Sequence, residues 1–183
     1  MIKKIVIIVL LLFSVILINE IYQGVQRQKD RNNIYTLAES RAKELGKPLL
    51  VYGDPYYGLG SRFFNMFMEG YGCGDETVDL TGCPLCPNCV KSDMLVHLKT
   101  KESDSQVIFV SCVLEYIDDI EETISEMKRV AGSLDNIFVV TVKNNSFSAY
   151  LYQEDEYAAK NLIQAPPLFK ELSFRKIKWK ISK

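Results

Sequence analysis

Histidine and tryptophan occur once each in the 183 residues, and the charges nearly cancel, with 23 Asp and Glu against 22 Lys and Arg. A chain this close to neutral sets up no broad field that draws in a polyanion, so no nucleic-acid partner is expected. With His97 as its single imidazole, the chain offers little for a histidine-based metal or acid-base centre. There is no internal repeat and no low-complexity segment, and 48% hydrophobic with 25% charged residues argues against disorder. Charge is also missing locally: Ile5 to Ile18 contains no ionisable side chain.

Lys3 and Lys4 precede that uncharged run. Extended from Met1 to Tyr22, it gives about twenty residues, or roughly 30 Å of helix, enough to span a bilayer. Asn19, Glu20, Ile21 and Tyr22 provide no small-residue cleavage site, which favours an uncleaved single-pass anchor over 1–22 above a signal peptide or a buried helix. Lys3 and Lys4 on one flank balance Arg27, Lys29 and Arg31 on the other, so the charges do not set an orientation. Residues 23–33, including the polar QRQKDRNN, read as a linker or the solvated start of a helix. Residues 34–183 then form one domain of about 150 residues, a usual size for a single core.

Within that domain Ile34, Leu37, Ala38, Ala42 and Leu45 share one helical face, and Gly46 followed by Pro48 ends the helix predicted over 33–45. Short apolar runs predict strands at 49–52, 77–80, 107–111 and 137–142. Between the last two, Ile120, Ile124, Met127 and Ala131 line a helix, with Asp119 and Glu122 at capping-box spacing and Gly132 as the stop. Strands alternating with helices imply a three-layer α/β sandwich around a mostly parallel sheet. SFSAYLY (146–152) and the lysine-lined FRKIKWKI (174–181) predict an antiparallel C-terminal edge.

Two stretches compete for the chemistry. GDPYYGLG (53–60) follows the first strand, where a glycine-rich turn lets a cofactor approach the backbone, although an ordinary turn uses the same residues. About twenty-five residues beyond Gly53, Asp79 ends the second strand, where a carboxylate accepts hydrogen bonds from ribose hydroxyls. The other stretch is Cys83, Cys86 and Cys89, which with Cys73 or His97 would match the ligand types and number of tetrahedral zinc. A crowded trio interrupted by two prolines departs from the two separated ligand pairs of structural zinc sites, so no metal is expected and the thiols read as loop-packing residues. A membrane-anchored thiol-disulfide oxidoreductase using Cys83 and Cys86 is a further alternative, but the next prolines, Pro166 and Pro167, come about eighty residues later, far from where such folds face a cis-proline to the thiols.

The order of these features resembles the class I S-adenosylmethionine-dependent methyltransferases, in particular a compact group related to the type 11 domains. The matching stretches run over about residues 36–152: LLVYGDPYYGLGSRFF, YGCGDETVDLTGCP, SDMLVHL, DSQVIFVSCVLEYIDD and ISEMKRVAGSLDNIFVVTV. The resemblance implies a Rossmann-like sheet, S-adenosylmethionine as cofactor and methyl transfer as the activity. It assigns cofactor binding to Gly53, Asp54, Pro55, Gly58, Gly60, Asp79, Leu80, Asp93, Ser111 and Cys112, with Ser111 and Cys112 on the methionine side. It implies no particular acceptor and, with this cofactor, a cytosolic domain tethered to a membrane. Two departures stand out. The carboxylate Asp54 follows the first glycine of its loop instead of preceding it, and only 26 residues separate Leu80 from Val107, too few for a full helix, strand and helix. A noncatalytic, membrane-anchored binding protein retaining the cofactor fold is the reading those departures leave open. Glu115 and Tyr116 read as a helix-start acid and a core aromatic, and His97 as a surface or capping residue.

Overall fold

The computed structural model describes residues 2–57, 72–143 and 168–173. The chain is α/β. Among the described residues six strands form one sheet: β1 (Leu49–Tyr52), β2 (Glu76–Asp79), β3 (Cys89–Lys91), β4 (Val107–Ser111), β5 (Ile137–Lys143) and β6 (Leu168–Ser173). Their order is β3-β2-β1-β4-β5-β6 and every pairing is parallel. All four residues of β1 are buried, as two covered faces require: Leu49 and Val51 point to one side, Leu50 and Tyr52 to the other. The first pair joins Val107, Phe109, Phe138 and Val140 in a core closed by Ala38 and Ala42 of α1 (Ile2–Leu45). The second joins Val78, Ile108, Val110 and Val139 in a core closed by α2 (Met94–Leu98) and α3 (Ile120–Ala131). Helices thus cover both faces of the sheet, giving three layers.

The helix stops are as the sequence predicts. Gly46 (φ 62) and Gly132 (φ 71) end α1 and α3 in the left-handed region. At the start of α3 the Asp119 carboxylate accepts from the Glu122 N–H at 3.4 Å, while the Glu122 side chain pairs with Lys99 across the α2–α3 interface.

Three expectations need correction. The first is the membrane anchor over 1–22, and with it the membrane localisation: among the described residues no helix is long and apolar enough to cross a membrane. The uncharged run Ile5–Ile18 covers roughly 21 Å at the helical rise, short of the roughly 30 Å of a hydrocarbon core. It belongs to the single helix α1, which continues through 23–33 to Leu45. The second concerns the sheet edge, where no antiparallel pairing is shown among the described residues. The strand described near the C-terminus, β6, pairs with β5 in parallel register, from Phe138 opposite Leu168 to Lys143 opposite Ser173. The expected strands at 146–152 and 174–181 lie outside the described residues. The third is Tyr116, which stands in a 3-10 turn (Leu114–Tyr116) with 73% of its surface exposed and is not a core aromatic.

The reading of His97 as a surface or capping residue is corrected as well, because the second core contains a polar network built around it. His97 is buried on α2, 2.9 Å through Nδ1 from the Tyr52 hydroxyl and 2.7 Å through Nε2 from Glu76, which also pairs with Lys101. An ionised Glu76 only accepts, so the proton belongs on Nε2 and Nδ1 accepts from Tyr52. Burial pushes the Glu76 carboxyl up, but the hydrogen bonds from Lys101 and His97 and the charge of Lys101 outweigh it and hold the group below its ordinary value. A carboxyl lowered in the folded state contributes stability above its unfolded pKa of about 4.3, and that stability is lost as pH falls through the folded value. Glu76→Gln is therefore expected to flatten the acid limb of a stability-against-pH curve below about pH 4.5 and to lower stability near neutrality. An acid limb identical to wild type would show that the network is not proton-linked in this way.

Candidate functional site

In a parallel sheet of this order, β2 and β3 extend to one side of β1 while β4, β5 and β6 extend to the other. The chain reverses direction between β1 and β4, and in sheets of this order the ligand crevice is expected at the carboxyl ends of those two strands. The register β1–β4 places Tyr52 opposite Val110, so the turns that follow, Gly53–Asp54 and Ser111–Cys112, stand side by side at that point. The strand at 107–111 lies next to 49–52, as a crevice between them requires.

Gly53 makes the close approach possible. Its φ is 100, its N–H donates to the Val78 carbonyl at 2.9 Å, and a Cβ built on it would meet the Ser111 carbonyl oxygen at 2.5 Å. Only glycine accommodates both the dihedral and the neighbouring backbone. Across the turn Cys112 also adopts positive φ, 54, with its N–H tied to the Val140 carbonyl at 2.8 Å. Its sulfur accepts from Arg31 Nη2 of α1 at 2.9 Å, which brings a cation from the helix to the edge of the crevice.

Asp79 closes the β2 side. One carboxylate oxygen accepts from the Asp54 N–H at 3.0 Å, and the other from the Thr81 N–H at 2.8 Å and the Thr81 hydroxyl at 2.7 Å. Three of its roughly four acceptor positions are engaged, so the residue both joins the β1 and β2 turns and caps the bend after β2. Asp54 in turn accepts from the Tyr56 N–H through its own carboxylate, which fixes the local turn; Pro55 is buried beneath it. Leu80 is 68% exposed. Asp93 is the N-cap of α2, accepting from the Val96 N–H at 3.0 Å. Gly53, Asp54, Asp79, Ser111 and Cys112 thus come together at the ends of β1, β2 and β4. Asp93 is next to them in the fold through its place after β3, with its carboxylate spent on the cap. Gly58 and Gly60 lie outside the described residues.

Comparison with protein-family models, curated proteins and solved structures gave no match.

The cysteines are arranged differently from either expectation. Cys73 bonds to Cys86 and Cys83 to Cys89, and Cys112 is outside both disulfides. The Cys83–Cys86 pair required by the oxidoreductase alternative does not form, because each sulfur has another partner. The loop-packing reading is corrected as well: these sulfurs fasten the loop covalently. His97, weighed as a fourth ligand, is held in the Tyr52–Glu76 network, and among the described residues no group of acidic, histidine or cysteine side chains is arranged to hold a metal. A cavity of about 330 Å³ lies at the opposite, amino end of β1, between Tyr35, Lys47, Leu49, Cys73 and Asp75. Burial and the nearby Glu39 and Asp75 carboxylates push the Tyr35 hydroxyl up to about 12, so it remains a neutral donor to the Cys73 carbonyl there.

Proposed function

We propose that the crevice binds a nucleoside cofactor, S-adenosylmethionine, and that the protein is a methyltransferase whose acceptor chemistry is set elsewhere in the chain. The observation that carries the reading is the meeting of the positive-φ Gly53 turn with the Ser111–Cys112 turn at the switch point, with an acidic residue ending the neighbouring strand. Parallel sheets of this order take their ligands there. The residues fit such a group by donor chemistry: Asp79 keeps an acceptor position for a ribose hydroxyl, and exposed Leu80 supplies apolar surface beside it for a base.

When bound, the cofactor supplies an electrophilic methyl carbon on a sulfonium. Gly53 lets the β1 and β4 turns close on each other, the place of its missing Cβ being taken by the Ser111 carbonyl oxygen, and so shapes the floor of the crevice. Ser111 and Cys112 line the wall formed by the end of β4. Arg31 places its guanidinium beside Cys112, on the side where the amino-acid part of the ligand would end. Methyl transfer depends chiefly on alignment of acceptor and methyl, so a site without an obvious general base is compatible with it.

Isothermal titration of the full chain with S-adenosylmethionine and S-adenosylhomocysteine tests the reading. One site of micromolar dissociation constant, about 8 kcal/mol of binding free energy, is expected for both. No heat and no thermal shift at millimolar ligand would overturn it.

A further inference from the structure

We propose that the β2–β3 loop is a redox-sensitive element: its two disulfides hold it beside Asp79 when oxidised, and an external dithiol releases it and weakens binding in the crevice. The effect on binding rests on the cofactor reading above; the release of the loop does not.

Between Leu80 and Asn88 the buried residues are Cys83 and Cys86, while Leu80, Thr81, Pro84, Leu85, Pro87 and Asn88 are exposed. The loop has almost no apolar packing of its own; hydrogen bonds hold its ends, Thr81 and Gly82 to Asp79 and Asn88 to Thr77 and Asp75, and sulfur pairing anchors the stretch between them. Cys86–Cys73 ties its middle to the chain ahead of β2, and Cys83–Cys89 draws its first half onto the start of β3. The same loop carries Thr81, whose N–H and hydroxyl both hold the Asp79 carboxylate. Where the loop sits therefore decides how that carboxylate is presented.

Each bond joins a partly exposed cysteine, Cys73 or Cys89, to a buried one. A thiolate of the dithiol attacks the exposed sulfur and displaces the buried cysteine, which takes up a proton. The second thiol of the reductant then resolves the mixed disulfide. Per bond, two electrons and two protons enter the protein and the reductant leaves as its own disulfide. The reduced cysteines have partners in place: the Thr77 carbonyl is 3.3 Å from Cys83 Sγ, and the Cys83 N–H points at Cys89 Sγ from 2.7 Å. The sheet can thus keep β2 while the loop lets go.

The test is hydrogen exchange and S-adenosylhomocysteine titration on the full chain, before and after treatment with dithiothreitol, with alkylation and mass measurement to count thiols. Reduction should expose four thiols beyond Cys112. Exchange over 80–88 should rise about tenfold or more while 107–111 stays protected, as for local opening. Affinity should fall about fivefold, a loss of roughly 1 kcal/mol, and recover on reoxidation. The paired variants Cys73→Ser/Cys86→Ser and Cys83→Ser/Cys89→Ser should each give part of the effect. Unchanged exchange over 80–88 after full reduction would overturn the proposal, as would loss of protection throughout the sheet. A released loop with unchanged affinity would refute its coupling to the crevice. Should the oxidised protein bind no ligand, the cofactor reading fails, and contrasting exchange at 80–88 and 107–111 still decides whether the loop is redox-released.

Discussion

Gly53→Ala is expected to destabilise the protein by about 3 kcal/mol, while Gly82→Ala, at nearly the same φ, should lose only about 1 kcal/mol. The two glycines separate two causes. Both have φ close to 100, which a Cβ disfavours, but nothing lies within 4 Å of a Cβ built on Gly82, whereas one on Gly53 falls 2.5 Å from the Ser111 carbonyl oxygen and 3.1 Å from a Val113 methyl. A backbone oxygen cannot rotate away as a side chain can. Relief has to come from parting β1 and β4, which share four registered residue pairs at the centre of the sheet. Denaturant midpoints of the two variants, at unchanged slope, provide the measurement. Equal losses would mean that the turn yields and that the β1–β4 junction is not the rigid floor on which the crevice depends.

That junction was legible in the sequence because its signals are local. LLVY and VIFV are near-continuous apolar runs, as expected of strands covered on both faces, and the helical faces at 34–45 and 120–131 repeat at the spacing of a buried stripe. The gap of 26 residues before Val107 likewise foretold a reduced third unit, and β3 and α2 have only three and five residues. What was not legible depends on contacts remote in sequence. Nothing around His97 announces that Tyr52 and Glu76, 45 and 21 residues away, converge on its two nitrogens. The disulfides are a similar case: the spacing of five cysteines does not say which of them pair, and loop-packing thiols were the reading it favoured. At the amino terminus, hydropathy over a window said nothing of where the helix would end. A run of fourteen uncharged residues read as a unit in itself, yet it is the opening of a 44-residue helix whose last turns are core. In the crevice, the place of Asp79 at a strand end and a cap on the turn at Thr81 were readable, but the Asp54 N–H as a further donor to its carboxylate was not.

That engagement sharpens what Asp79→Ala should do. If the carboxylate also accepts from ribose hydroxyls, the substitution is expected to weaken S-adenosylhomocysteine binding about ten- to a hundredfold, the equivalent of roughly 1.5 to 3 kcal/mol for charge-assisted bonds. It should lower stability too, by about 1 kcal/mol, since the Thr81 and Asp54 donors lose their acceptor but stand near water that replaces it. Asp79→Asn keeps the shape and one acceptor oxygen, so most of the stability should return while most of the affinity should not. Thr81→Ala provides the opposite control. It removes the hydroxyl donor but keeps the Thr81 N–H bond that holds the bend in place, and frees an acceptor position for the ligand, so stability should fall slightly with affinity held or improved. The four proteins, measured by thermal unfolding and titration on the same day's material, give a pattern that neither role alone can produce. An Asp79→Ala protein that is less stable but binds as tightly as wild type would make Asp79 a turn cap only and leave the ribose without its acidic partner.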